Sequence, residues 1–315
     1  MKIIYVTGCL GFIGSYVTRK CLQKGWMVYG VDKCTYVANV ELLKEFGEYK
    51  NFRFQRVDIK DVDHLYDCDY IINTAAESHV GNSIINSQEF IDSNIVGVKN
   101  LLDLIRFKPE NTNKRPLFFH FSTDEVYGDI DSGLHSESDI LKPSNPYSAA
   151  KASADMLVLA WSRTYDLDYV LLRPTNNYGI GQYPEKLIPL SVKNLMREKK
   201  IRLHNNGEPF RNWLHADDTA EAVMAILESN KHNEIYNVAG GFEQSNADTV
   251  KKIVKAFNGA DEWQNFVDFS YSRQGQDVRY ALDDRKLRSL GWSPKKVFDK
   301  EIDSIVDYYK NNFIW

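Results

Sequence analysis

Residues 2–14 read KIIYVTGCLGFIG. The first six form a strand with an apolar body. Gly8, Gly11 and Gly14 then fall three apart, ahead of a helical stretch to about Lys24. Strand, glycine turn and helix, in that order, are the context a dinucleotide fingerprint requires. Gly8 permits the tight turn, Gly11 lets backbone amides approach a pyrophosphate, and Gly14 lets the helix pack close to the strand. Free N–H groups at the helix N-terminus favour an anion there. The spacing is G-x-x-G-x-x-G rather than G-x-G-x-x-G. A structural βα turn is the plainer alternative, and the context favours the cofactor.

Working outward, a second strand, Met27 to Val31, ends at Asp32, 18 residues past Gly14. That is close to the ~20 expected for an acid on an adenosine ribose. A carboxylate there repels a 2′-phosphate and favours NAD over NADP, although Lys33 beside it could tolerate that phosphate. A third strand, Phe52 to Val57, ends at Asp58-Ile59, which either flanks an adenine or caps the next helix. A fourth, Tyr70 to Asn73, runs into Thr74-Ala75-Ala76 and Glu77-Ser78-His79. The small residues permit close approach of a cofactor; His79 reads as a loop histidine or a substrate donor. A helix from about Ile91 to Phe107 carries Ile91, Ile95, Val98, Leu102 and Ile105 at helical spacing, a stripe that suits core or dimer surface.

The chemistry concentrates in Leu117 to Gly128, LFFHFSTDEVYG. Its apolar start reads as a strand buried on both faces of a parallel sheet. Polar residues just past the carboxyl end of such a strand sit where α/β folds place ligands. There Asp124 and Glu125 follow Ser122 and Thr123. Twenty-three residues past Asp124 come Tyr147 and, four further on, Lys151, together on one face of a helix.

The totals set limits. The chain has 315 residues, 26% of them charged, and a net charge of −4, which provides no basic footprint for nucleic acid. No apolar run approaches the ~18 residues of a membrane span. Met1 leads straight into a strand, leaving no room for a signal peptide. Cys9, Cys21, Cys34 and Cys68 form no C-x-x-C pair, so thiols in a reducing cytoplasm are expected, and no metal site. In the second half, Tyr169 to Leu172 is a strand leading to Arg173-Pro-Thr-Asn-Asn177, where Pro174, Gly179 and Gly181 mark loop. Pro184 opens a helix running to about Lys199. Arg211 is a surface charge or a phosphate clamp. Asp217 to Ser229 reads as a helix returning to the large domain, Ile235 to Val238 as a further sheet strand, and Asn246 as a helix start.

TGCLGFIG, STDEVYG and PYSAAK together resemble the extended short-chain dehydrogenase/reductases. AAESHV, RPTNNYG, YPEKLIPL and RNWLHADD narrow the resemblance to nucleotide-sugar 4,6-dehydratases of the dTDP-glucose or UDP-glucose kind. It covers nearly the whole chain. It implies a doubly wound, Rossmann-like parallel sheet spanning residues 1–173 and about 213–239. A smaller C-terminal α/β lobe for the nucleotide sugar takes about 174–212 and 240–315. It also implies a homodimer joined by a four-helix bundle built from the helices near 91–107 and 147–165. Catalysis would fall to Thr123, Asp124, Glu125, Tyr147 and Lys151, and the elimination a dehydratase performs needs an acid and a base, a purpose for two carboxylates that a simple oxidoreductase lacks. NAD would be held by Gly8, Gly11, Phe12, Ile13, Gly14, Asp32, Lys33, Thr35, Asp58, Ile59, Ala75, Ala76, Asn94, Tyr147, Lys151 and Asn177. The nucleotide sugar would meet Ser78, His79, Asn176, Lys186, Leu187, Arg211, Asn246, Arg273 and Gln276. The chain departs from the pattern at Cys9, at Phe242-Glu243, and at Arg273-Gln-Gly-Gln-Asp277, where Arg-Pro-Gly-His-Asp is usual. A 4-epimerase or decarboxylase on the same fold is the alternative, and a non-catalytic cofactor sensor a remote one.

Overall fold

The computed structural model describes residues 1–108, 115–272 and 277–312. Among these, the strands are β1 (Ile3–Thr7), β2 (Met27–Asp32), β3 (Phe52–Arg56), β4 (Tyr70–Asn73), β5 (Leu117–Phe121), β6 (Tyr169–Pro174), β7 (Asn176–Tyr178), β8 (Ile201–Arg202), β9 (Phe210–His215), β10 (Glu234–Val238), β11 (Glu243–Ser245) and β12 (Val267–Asp268). Seven form one sheet in the order β10-β6-β5-β4-β1-β2-β3, with every pairing parallel. The order reverses between β1 and β4, and open α/β sheets bind ligands at the carboxyl ends of strands beside such a switch point.

Alternate side chains along each strand feed opposite faces of the sheet. Ile4, Val6, Phe119, Phe121, Val170 and Leu172 pack into one core, under Val17, Cys21 and Leu22 of the helix Phe12–Gln23 and Val223, Ile226 and Leu227 of Ala216–Ser229. Tyr5, Ile71, Phe118 and Leu171 pack into the other, under Val98, Leu101, Leu102 and Ile105, and Ala154 and Val158 of Pro146–Tyr165. Covering on both faces is what makes these strands read as near-continuous apolar runs.

The smaller lobe has its own core. Tyr178, Ile188, Val192, Trp213, Val250, Ile253, Phe298, Ile302 and Val306 meet there, drawn from segments far apart in sequence. Its sheets are β11-β9-β7 and the pair β12-β8. The break expected at about 213 falls inside β9. The chain returns to the large sheet only at Ala216, where the His215 ring caps the helix by accepting from Asp217 N–H. The Asp218 carboxylate accepts from Lys295 and Lys296 N–H at 3.0 and 2.9 Å, tying the last segment back to this helix.

Two helices differ from expectation. The stretch expected from Ile91 is helical from Gln88, and Asp92–Val96 form a π turn between Gln88–Ile91 and Gly97–Arg106. Single π turns mark sites where a helix must re-aim a side chain, and Asn94 lies in this one. The helix expected from Pro184 to Lys199 is Leu187–Met196. Tyr183 carbonyl accepts from both Glu185 and Lys186 N–H, which holds that turn outside the helix, and Glu198 at φ +53° ends it. The four cysteines are free. Among the described residues no helix is long and apolar enough to cross a membrane, and no cluster of side chains could hold a metal ion.

Candidate active site

The site is built at the strand tips. Gly8 leaves β1 at φ +69°, and its N–H donates to the Val31 carbonyl at 2.7 Å. A Cβ on Gly8 would stand 2.8 Å from the Ala75 backbone, and one on Gly14 2.0 Å from the Gly8 carbonyl oxygen. The turn therefore closes only with glycine. The Asp32 carboxylate fastens it to β2, accepting from Leu10 N–H at 3.1 Å and Cys34 N–H at 2.8 Å. Asp32, Lys33, Thr35, Asp58, Ile59 and Ala75 line one pocket here. Lys33 Nζ lies 3.3 Å from Glu77 and 3.7 Å from Asp58. The charge that could have accepted a 2′-phosphate is thus held between carboxylates. Asn94 lines neither this pocket nor the cleft beside it. Fully buried, it accepts from Glu77 N–H at 2.9 Å and donates to Glu77 carbonyl at 3.0 Å, so it fixes the loop after β4.

The adjoining cleft, of about 260 Å³, brings Gly8, Gly11, Phe12, Ile13, Gly14 and Ala76 opposite Thr123, Asp124, Glu125, Tyr147 and Lys151, with Asn176 and Asn177 between them. Thr123 caps the short 3-10 turn Asp124–Tyr127. Its hydroxyl accepts from Glu125 N–H at 3.3 Å and donates to Asp124 Oδ1 at 3.2 Å. The helix carrying Tyr147 and Lys151 starts with a capping box between Asn145 and Ser148 and with Pro146 in its first turn, the arrangement expected of a firm helix start. Asn145 also donates to Glu125 Oε2 at 3.4 Å. The cap that starts the helix therefore also holds one carboxylate.

A second pocket, of about 170 Å³, continues from Glu125 into the smaller lobe. Ser78, His79, Asn176, Lys186, Leu187 and Arg211 line it, with Asn145, Asp277 and Tyr280. Lys186 Nζ donates to Ser78 carbonyl at 2.7 Å, bridging the two lobes. Arg211 lies over the Tyr280 ring at 4.7 Å and donates to the Asp277 carbonyl at 3.1 Å. His79 Nδ1 accepts from Asn82 N–H at 3.1 Å and so caps the helix Val80–Ile85 while facing the pocket. Asn246 lines neither the pocket nor the cleft. It is the first residue of its helix, and Ser245 is the cap, accepting from Asp248 N–H at 3.0 Å. Arg273 and Gln276 lie outside the described residues.

The family model described as GDP-mannose 4,6 dehydratase matches residues 5–305. The chain belongs to the nucleotide-sugar 4,6-dehydratase family. It is 39% identical to a dTDP-glucose 4,6-dehydratase of Neisseria meningitidis, covering 100% of this chain and 95% of that one. A dTDP-glucose 4,6-dehydratase of Streptomyces venezuelae, solved with NAD bound, superposes with a TM-score of 0.92 at 36% identity, covering 98% and 97% of the two chains. A UDP-glucuronic acid 4-epimerase of Bacillus cereus also superposes, with a TM-score of 0.89 at 26% identity, covering 98% and 99%. The fold is therefore common to dehydratases and epimerases, and the side chains must separate them.

In this dehydratase-family cleft, burial and then the neighbouring Glu125 push the Asp124 carboxyl up to about 8, against Arg211 and the Thr123 bond. Burial also raises Glu125, while Arg211, Asn145 and Lys186 resist the rise. Both carboxyls are thus pushed toward their protonated forms, Asp124 with its neighbour's charge adding to the effect of burial. Burial, and next Glu125, raise the Tyr147 phenol, and a hydrogen bond with Thr123 opposes this. Burial lowers Lys151 to about 8, and Asp155 resists.

Several residues went unread in the sequence. Lys151 Nζ donates to Phe121 carbonyl and lies 3.5 Å from His120 Nε2. His120 Nδ1 lies 3.0 Å from Asn73 Nδ2, and Asn73 Oδ1 accepts from Thr7 Oγ1 at 2.6 Å. This buried chain runs across the tips of three neighbouring strands. Burial and Lys151 hold His120 neutral by pushing its pKa well down. The signal was a polar residue inside an apolar strand, since buried polar groups need partners. Asp155, four residues past Lys151, pairs with the buried Arg173 at 2.9 Å.

Both Asp124 and Lys151 change protonation near pH 8. As pH rises through that value, Asp124 loses the proton an acid must give and Lys151 loses its charge. The pH–rate profile should therefore fall on its alkaline side from about 8. A rate that stays level well above that value would contradict the assignment of Asp124 as acid.

Proposed function

We propose that this protein is an NAD-dependent dehydratase that converts dTDP-glucose or UDP-glucose to the 4-keto-6-deoxy sugar with loss of water. The observation that carries the reading is the Asp124–Glu125 pair, both facing the cleft that Tyr147 and Lys151 line. A 4-epimerase on this fold needs no such pair. The names of the relatives favour the thymidine nucleotide.

The residues present fit NAD. The glycine cradle excludes any Cβ, a helix N-terminus faces it, and Asp32 with its neighbouring carboxylates disfavours a 2′-phosphate. Held by the glycine turn and Asp32, NAD would supply reversible hydride acceptance, from C4 of the sugar and back to C6. Tyr147 accepts the proton of the C4 hydroxyl. A free Tyr has a pKa near 10, and burial here raises it further, so the positive charges of Lys151 and the nicotinamide must favour the phenolate. Thr123 holds the C4 oxygen. The ketone at C4 acidifies the C5 proton, and Glu125 removes it. Asp124 gives its proton to the departing C6 hydroxyl. Arg211 and Lys186 suit the diphosphate, since cationic donors bind phosphate oxygens.

The carboxylate roles separate by mutation. Glu125→Gln keeps the shape and deletes the base; given substrate, it should reduce its bound NAD and stall with the C5 proton in place. Asp124→Asn should also reduce NAD, but in heavy water should exchange the C5 proton while releasing little product. A positioned acid or base is worth roughly 10²–10⁴-fold, so each loss should be plain in single-turnover kinetics. Undiminished product from Asp124→Asn would move the epimerase or decarboxylase reading ahead.

The protein works in the cytoplasm as a homodimer. Ile91, Val96 and Met156 are large, exposed apolar side chains on helices that pack together, 88–106 and Pro146–Tyr165. Two such helices from each copy would make a four-helix bundle and cover them. Sedimentation velocity should give a dimer for the native protein and a monomer for Met156→Glu. A native monomer would overturn the assembly.

A further inference from the structure

The proposed reaction needs the same cofactor molecule at C4 of the sugar and again at C6. Loss of that cofactor between the two would strand the sugar as a ketone never reduced at C6. The site must therefore hold its cofactor for longer than one turnover. One wall of the cleft is built to do so. Residues 179–186, GIGQYPEK, form no helix or strand and join β7 to the helix Leu187–Met196. Gln182, Tyr183, Glu185 and Lys186 of this segment line the same cleft as the glycine turn.

The segment is rooted in the smaller lobe, where the Tyr309 hydroxyl lies 3.1 and 2.9 Å from the carbonyl oxygens of Gly179 and Gln182. Side-chain hydrogen bonds fasten it to the large domain. Tyr16 donates to the Ile180 carbonyl at 2.9 Å, and Lys186 to the Ser78 carbonyl at 2.7 Å. Between these ties stands Tyr36, which follows the cofactor-pocket residues Asp32, Lys33 and Thr35. Its ring meets that of Tyr183 edge-on at 5.2 Å. Its hydroxyl donates to Glu185 Oε2 at 2.8 Å and accepts from Asn82 Nδ2 at 3.3 Å. Burial, and next the Glu185 carboxylate, raise the Tyr36 phenol, so it keeps the proton it donates. Tyr36 is 54% exposed, while the Glu185 side chain is 15% exposed. A bond from a half-exposed ring to an inward-facing carboxylate can open without unpacking a core.

We propose that residues 179–186 are a strap that shuts the cofactor into the cleft, and that the Tyr36–Glu185 hydrogen bond is its latch. The inference rests on the dehydratase reading for its purpose, which is to keep the cofactor in place between oxidation at C4 and reduction at C6. A hydrogen bond to an ionised acceptor is stronger than one between neutral groups, which suits a tie that must outlast a turnover. With that bond open, the ties at Ile180 and Lys186 remain, so the strap loosens without detaching.

Release of NAD tests the latch without any turnover. The enzyme is loaded with tritiated NAD and chased with excess unlabelled NAD, and the label that stays on the protein is followed in time. Tyr36→Phe keeps the ring and deletes the donor; it should release NAD faster by about tenfold or more, the factor a hydrogen bond to a charged group is worth. Glu185→Leu should do the same. The double variant should release NAD no faster than either single one, because the two side chains act through one bond. With nucleotide sugar present, Tyr36→Phe should leak NADH into solution together with an equal amount of a sugar ketone never reduced at C6, and the native enzyme should leak neither. A Tyr36→Phe release rate equal to the native one, or effects that add in the double variant, would overturn the latch. A native enzyme that makes no 4-keto-6-deoxy sugar would overturn the dehydratase reading instead, with the release rates still deciding the latch.

Discussion

Two carboxyl groups next to each other in sequence and withdrawn from water cannot both stay ionised at modest cost. That constraint governs the site. Taking a charge out of water is expensive, and a second like charge nearby makes it more so. Here burial raises both carboxyls, Asp124 to about 8 with the charge of Glu125 adding to the rise; Arg211 opposes the rise at both, and Asn145 and Lys186 oppose it at Glu125 as well. The acid and base roles proposed for the pair rest on that difference in partners.

The scaffold holds that pair in place. Thr123, two residues past the end of β5, caps the 3-10 turn that brings both carboxyls to the cleft. Gly128, at φ +82°, takes the chain away under Lys142, where a Cβ would stand 2.3 Å from the Lys142 carbonyl oxygen. Asn145 then starts the helix that lifts Tyr147 and Lys151 to the same place. The buried Asp155–Arg173 pair, at 2.9 Å, ties the same helix to β6, and breaking such a pair by removing one partner typically costs about 3–5 kcal/mol. Opposite, the glycine cradle brings the cofactor-facing backbone within reach because nothing projects from Gly8 or Gly14.

Much of this was legible from order and spacing. The glycine triplet between a strand and a helix, the acid 18 residues on, and the Tyr–Lys pair are local patterns with local causes, and the parallel sheet follows from strands that alternate with helices. The π turn was not legible, and Asn94 within it bonds the backbone of Glu77, a residue on another segment. His120 drew no reading beside the apolar residues of its strand, because its partners, Asn73 and Lys151, lie on different elements. Glu77 was passed over for the same reason: its ion pair with Lys33 joins the ends of β2 and β4. The boundary at 213 fell inside β9 because that strand belongs to the small sheet while the helix after it belongs to the large one. Contacts between distant segments leave no trace in a window of neighbouring residues.

The central claim is that one hydride leaves C4 and lands on C6 of the same sugar while Glu125 and Asp124 remove water between. Substrate deuterated at C4, turned over in ordinary water with excess unlabelled NAD, tests it directly. The account expects a 4-keto-6-deoxy product carrying one deuterium at C6. Deuterium found back at C4, or lost to free cofactor, would contradict it.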